Sequence, residues 1–203
     1  MKKILCLGDS ITDCHRLFID SPLGCGYVSI LSKTFQKLGF ELEFINLGVD
    51  GFTISRLLEK CESQYLPQNA DIITILIGIN DIGLMMNTNR TPLQQQEMLK
   101  NFLSKYRELL RSFNHAQIIL MEPFIFPYPA EFRNWFPLVR QMSEGIQTLA
   151  HELYLPFIPL HDSLNLEGQR YGMETITTDG IHITRMGHEI IAEKLLHTLE
   201  RYV

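Results

Sequence analysis

The 203-residue sequence lacks any run near the ~20 consecutive apolar residues of a membrane-spanning helix, so no membrane is expected as a partner. It also lacks an excess of positive charge. The net charge is −5 and Lys and Arg are scattered rather than striped, which argues against nucleic acid and against an anionic membrane surface. Four cysteines (Cys6, Cys14, Cys25, Cys61) form no C-x-x-C pair, so free thiols are expected and no zinc site. The opening Met1–Asp9 imitates a signal peptide, but its apolar run ends after Leu7, short of the ~7–15 residues of a true h-region. A cytoplasmic location is the expectation. Repeats, low-complexity tracts and linkers are absent too, and one domain over 1–203 is expected.

What is present is an alternation of strand and helix patterns. Lys3–Leu7 reads as a buried first strand, and Tyr27–Leu38 as a helix stopped at Gly39. Glu41–Asn46 alternates as a strand, Ile54–Glu62 is helical with Pro67 beyond it, and Ile72–Ile77 is the β-branched run of a strand covered on both faces. Thr91-Pro92 opens a long helix to about Phe113. Gln117–Met121 is a fourth strand, Leu138–Leu153 a helix, and Leu155–Leu160 a short fifth strand broken up by prolines. Thr184 caps a last helix to about Arg201. The alternation predicts a three-layer α/β fold with a parallel sheet.

Ligands of such sheets bind beyond the C-terminal ends of the strands. Four places answer to that rule: Gly8-Asp9-Ser10, Gly48, Gly78-Ile79-Asn80-Asp81, and the loop entering the last helix. A serine at a strand-to-helix turn needs a base to become a nucleophile. His182 is the candidate base, with Asp179 three residues ahead to fix its tautomer. Acyl transfer also needs donors for an oxyanion. Gly48 offers a backbone N–H, Asn80 its side-chain amide, and Ser10 its own N–H. Taken singly, each block reads as an ordinary turn: Asn80-Asp81 as an Asx turn, Gly48 as a positive-φ glycine. Asp13 and Cys14 lie near Ser10 in the sequence, and the remaining histidines read as structural.

Four blocks in order resemble the SGNH (GDSL-type) hydrolases: Gly8-Asp9-Ser10-Ile11-Thr12-Asp13, Asn46-Leu47-Gly48-Val49-Asp50-Gly51, Gly78-Ile79-Asn80-Asp81 and Asp179-Gly180-Ile181-His182. The resemblance implies a flavodoxin-like sheet of five parallel strands, order 2-1-3-4-5. It further implies Ser10 as nucleophile, His182 and Asp179 completing a triad, and Ser10, Gly48 and Asn80 as oxyanion donors. Ile11 stands where the family's name has Leu. There is no G-x-S-x-G elbow of the α/β-hydrolases. Gly24-Cys25-Gly26 is followed by Ser29 rather than a third dinucleotide-type glycine. No cofactor and no metal are expected.

Beyond the fourth strand, Phe124, Tyr128 and Trp135 belong to an aromatic segment that reads either as packing or as a substrate wall. Gly26-Tyr27-Val28 and Met121-Glu122-Pro123-Phe124 resemble the acetylxylan-esterase branch. The expectation is a short acyl ester, foremost acetyl, on carbohydrate. A lysophospholipase or thioesterase of the same family is the alternative. A non-catalytic flavodoxin-like module, holding phosphate or flavin at Ser10-Ile11-Thr12, is an alternative of another class that leaves His182, Asp179 and Asn80 without a task. A homo-oligomer is left open.

Overall fold

The structure, a computed structural model, describes residues 1–19, 21–63 and 70–203. Pro67, expected to stop a helix, lies outside the described residues. Strand β1 (Lys2–Gly8) is followed by a one-turn helix α1 (Ser10–Asp13), then α2 (Tyr27–Lys37), β2 (Leu42–Asn46) and α3 (Ile54–Ser63). Next come β3 (Ile72–Leu76), α4 (Ile79–Asn87), α5 (Pro92–Arg111) and β4 (Gln117–Met121). A 3₁₀ turn (Ala130–Trp135) leads into α6 (Phe136–Glu152), β5 (Phe157–Ile158), α7 (His161–Tyr171), α8 (Met173–Ile176) and α9 (Arg185–Leu199).

The five strands are all parallel, in the order β2-β1-β3-β4-β5. Crossovers in such sheets are right-handed, so reversing direction after β2 moves the connecting helices to the other face. The packing agrees: α2 lies against α9, whereas α3 lies against α5 and α5 against α6. The sheet is thus sandwiched, and β3 is buried along its whole length. That explains why Ile72, Ile73, Ile75 and Leu76 carry no polar alternation. The strand order reverses between β1 and β3, and the crevice outside their C-terminal ends is where ligands bind in this architecture.

Local signals set the helix ends. Thr91 accepts from the N–H of Gln94, whose side chain accepts from the N–H of Thr91, a reciprocal cap with Pro92 at the first helical position. Gly39, at φ +84°, takes the left-handed turn after α2. Helices α4, α7 and α8 go beyond the sequence expectation, which left those stretches as loop. In α7 only His161, Leu164, Asn165 and Gly168 are buried, so too few apolar residues mark its face.

Candidate active site

Ser10 is set by the first two elements. Strand β1 ends at Gly8, where a Cβ would lie 2.2 Å from Thr12 Oγ1 and 2.5 Å from the carbonyl oxygen of Leu76. Only glycine lets β1 run beside β3 to its end and then turn straight into α1. Asp9 caps α1, accepting from the N–H of Ile11 at 3.0 Å. Its burial pushes the carboxyl up to about 7, against the lowering effect of that N–H. Ser10 follows as the first residue of α1. Behind it Thr12 Oγ1 meets the hydroxyl of Tyr27 at 2.9 Å, and the N–H of Tyr27 donates to His188 Nδ1 at 3.3 Å. His188 is buried and lowered to about 4, so it stays neutral.

The candidate base, His182, comes from the loop between α8 and α9. Thr177 and Ile183 pair as a one-residue antiparallel bridge, which closes residues 178–182 into a tight loop. Inside it the Thr177 hydroxyl donates to the carbonyl of His182 at 2.6 Å and accepts from the N–H of Gly180 at 2.8 Å. Asp179 Oδ1 accepts from the N–H groups of Ile181 (2.9 Å) and His182 (2.7 Å), and Oδ2 sits 2.7 Å from His182 Nδ1. His182 Nε2 lies 3.0 Å from Ser10 Oγ. Burial alone would raise the Asp179 carboxyl, but the bonds from the His182 ring and the two N–H groups outweigh it and hold it below the usual range. A carboxylate can only accept, so Nδ1 carries the ring proton, and the Nε2 lone pair faces the serine hydroxyl.

The aromatic segment meets this loop in a way the sequence did not reveal. The N–H of Phe126 donates to the carbonyl of Gly180 at 2.9 Å. A Cβ on Gly180 (φ +91°) would fall 1.8 Å from the carbonyl oxygen of Tyr128. The segment therefore buttresses the loop that carries His182. Phe124 is wholly buried, its ring edge-on to Phe126 at 5.7 Å, so it belongs to the core and not to a substrate wall. Tyr128 is half exposed but is not among the residues that line the cavities at Ser10 and Asn80. Trp135 does line one, although only 6% of it is exposed.

Asn80 occupies the first turn of α4. One amide hydrogen of its side chain donates to the carbonyl of Phe52 at 3.0 Å, which leaves the second. Asp81 accepts from the N–H of Ile54 at 3.1 Å; burial pushes its carboxyl up to about 7. Together the pair ties α4 to the loop after β2. Gly48, the expected oxyanion donor in that loop, is committed elsewhere. Its N–H donates to Asn46 Oδ1 at 2.9 Å and its carbonyl accepts from Arg16 at 2.6 Å. A Cβ there would lie 2.3 Å from the backbone nitrogen of Asp13. Gly48 thus serves the close packing of the loop on α1. Gly51, in the same sequence block, is the glycine that lines a cavity with Asn80. It is exposed at φ +69°, and its N–H reaches no acceptor among the described residues.

Among the described residues, Ser10 and His182 line one cavity and Asn80 lines another. One, about 380 Å³, holds Ser10, His182, Asp13, Cys14, His15 and Phe18. The other, about 420 Å³, holds Gly51, Asn80, Arg56, Trp135 and Ile181. Among the described residues no helix is long and apolar enough to cross a membrane.

Comparison with known proteins bears on what this arrangement serves. Residues 6–190 match the GDSL-like Lipase/Acylhydrolase family model. The acetylxylan esterase of Geobacillus stearothermophilus is 27% identical over 216 residues, which cover 98% of this chain and 94% of that protein. The isoamyl acetate-hydrolyzing esterase of Saccharomyces cerevisiae is 23% identical over 222 residues, covering 99% of this chain and 87% of that one. A solved structure of a single-site variant of the G. stearothermophilus acetyl xylan esterase superposes with a TM-score of 0.85 at 25% identity, covering 100% of this chain and 96% of the other. The five-stranded parallel sheet is the one these hydrolases share. The chain belongs to the GDSL-like lipase/acylhydrolase family and is a carboxylic ester hydrolase.

Proposed function

We propose that the chain cleaves short acyl esters, foremost acetyl, of carbohydrate alcohols through an acyl-enzyme on Ser10, in the cytoplasm. The observation that carries the mechanism is the unbroken path Ser10 Oγ–His182 Nε2–Asp179, at 3.0 and 2.7 Å. His182 takes the serine proton as Ser10 attacks the carbonyl, and Asp179 stabilises the imidazolium. The N–H of Ser10, the N–H of Gly51 and the free amide hydrogen of Asn80 receive the oxyanion. His182 then protonates the departing alcohol, and a water repeats the sequence to release the acid.

Support for acetyl comes from two relatives whose names differ in the alcohol but share the acetate: one an acetylxylan esterase, the other isoamyl acetate-hydrolyzing. The cytoplasmic part rests on four free cysteines. A second reading, an acetate ester of an apolar alcohol, has Leu17, Phe18 and Ile19 on its side. All three are exposed, and Phe18 stands at the cavity that holds Ser10.

The experiment is a rate comparison over acetyl, butyryl and octanoyl p-nitrophenyl esters, followed by acetylated xylo-oligosaccharides against isoamyl acetate. Each methylene that does not fit costs about 1–3 kcal/mol in the transition state, so kcat/KM is expected to fall steeply with acyl length. An optimum at octanoyl rejects the acetyl reading. Preference for isoamyl acetate rejects the carbohydrate and leaves the acetyl. A fluorophosphonate probe should label the native chain and not Ser10→Ala; labelling of both would remove Ser10 as nucleophile.

A further inference from the structure

Helix α1 starts at Ser10 and ends one turn later at Cys14, whose backbone is left-handed (φ 41°) and whose N–H donates to the carbonyl of Ser10 at 2.9 Å. Cys25 comes back to the same place. Its N–H donates to the carbonyl of Cys14 at 3.0 Å, and the two sulfurs stand 3.2 Å apart, unbonded. A disulfide needs about 2.05 Å, so closing by roughly one ångström would join them.

The approach is built into the chain on both sides of Cys25. A Cβ on Gly24 (φ +71°) would lie 2.5 Å from the carbonyl oxygen of Asp13, and one on Gly26 would lie 2.8 Å from Cys14 Cβ. Two glycines therefore permit the contact. His188 completes the cluster. Its Nδ1 accepts from Tyr27, which leaves the ring proton on Nε2, 3.3 Å from the Cys14 sulfur. Cys14 is half-buried and lines the cavity that holds Ser10 and His182, whereas Cys25 is exposed.

We infer that Cys14 and Cys25 are a thiol–disulfide pair in the wall of the catalytic cavity, oxidised by a low-molecular-weight disulfide and restored by a thiol reductant. Cys25 is exposed and Cys14 half-buried behind it, so Cys25 meets the incoming disulfide first. Cys25 Sγ bonds to one sulfur of RSSR, the S–S bond breaks, and the other sulfur leaves as RSH with the Cys25 proton. Cys14 Sγ then attacks Cys25 Sγ, and the second RSH departs with the Cys14 proton. Two protein thiols and one RSSR become one protein disulfide and two RSH.

Oxidation ties Cys14 to Cys25 instead of leaving it against His188. It also closes a covalent ring through the wall that carries His15 and Phe18. Neither sulfur takes part in the Ser10–His182–Asp179 hydrogen bonds. Substrate fit is therefore what should change, read as a shifted KM with kcat kept.

The test incubates the full chain with oxidised glutathione, alkylates the remaining thiols, digests with trypsin and weighs the peptides. Arg16 lies between the two cysteines, so the bond appears as two peptides joined, lighter by two hydrogens. The expected result is that cross-link in the native chain, its loss with dithiothreitol, its absence in Cys25→Ser and Cys14→Ser, and its persistence in Cys61→Ser. The oxidised chain should show a shifted KM for p-nitrophenyl acetate. Glutathione remaining on Cys25 without a cross-link, a bond to Cys61, or unchanged KM after oxidation would overturn the inference. The masses need no ester turnover, so a failed esterase reading would leave that part standing.

Discussion

The two ends of the Ser10–His182 contact are held by different physics. On the nucleophile side, Gly8, Asp9 and Thr12 are buried, and the turn is fixed by close packing that leaves no room even for a Cβ. On the base side, the side chains of His182 and Asp179 are about half exposed (48% and 52%). There the loop is fixed by hydrogen bonds given by Thr177 and Phe126 and accepted by Thr177 and Asp179. Shape positions the serine; directional bonds position the histidine. Substitutions of the close-packed glycines on the first side should therefore act through stability, and those of the hydrogen-bonding groups on the second through rate.

The largest effects should come from removing either end. Ser10→Ala and His182→Ala are each expected to lower kcat by about 10⁴–10⁶ with circular dichroism unchanged, and the double variant by little more, since the pair acts as a unit. A double variant far below both singles would show independent action. The rate of the native chain should rise with pH out of the acid range, because only a neutral His182 ring accepts the serine proton. Asp179, held below the usual carboxylate range, stays ionised throughout that rise.

Next in size is Asn80→Ala, expected to cost about 10²–10³ in kcat with KM nearly unchanged. Gly48→Ala supplies the contrast. Its Cβ collides with backbone, so the loss should appear in the melting temperature, by about 1–3 kcal/mol of overpacking. A stable, slow Gly48→Ala would return the oxyanion role to Gly48. Asp179→Asn tests the other side: the misorientation of His182 is expected to cost about 10² in kcat, and, since Asp179 is half exposed, with a small change in thermal unfolding. Equal effects on rate and stability would erase the distinction between the two ends.

Most of this site was legible in the sequence because its parts sit at strand ends, and strand ends are marked by local pattern. The β-branched run of β3, the Thr91-Pro92 cap and the turn after β1 are all near-neighbour features. The Gly48 assignment failed for a tertiary reason. Asn46-Leu47-Gly48-Val49-Asp50-Gly51 contains two glycines, and only the fold-back of the Asn46 side chain decides which N–H is already bonded. Likewise Phe124 and Trp135 belong to one aromatic cluster in sequence. Which of them is core and which lines a cavity depends on how the segment crosses the base loop. Helix α4 was hidden because Gly83 interrupts it, although the space beside that glycine is taken by Trp135, 3.7 Å from its Cβ position.

An effect on stability alone concerns Asp81, a carboxyl whose folded value of about 7 stands above the 3.8 of an unperturbed aspartate. Between those values the folded chain keeps a proton the unfolded chain has lost, so stability contributed by this group falls as pH rises through the window. Asp81→Asn keeps an acceptor for Ile54 and abolishes the titration. Its stability advantage over the native chain should grow from pH 4 to pH 7, to ~4 kcal/mol at most, and level off above. Denaturant midpoints at several pH values read this directly, and a constant difference would mean that Asp81 is ionised in the folded chain.

The bond between Ser10 and His182 joins residues 172 positions apart. No local element holds the two together, so their contact depends on the packing of the whole sandwich. On the proposed mechanism, hydrolysis therefore requires α9, packed on α2, to keep the loop ahead of it over the turn after β1. Loosening of that last helix should extinguish turnover before the sheet melts, which makes ester cleavage a sensitive gauge of whether the chain has closed.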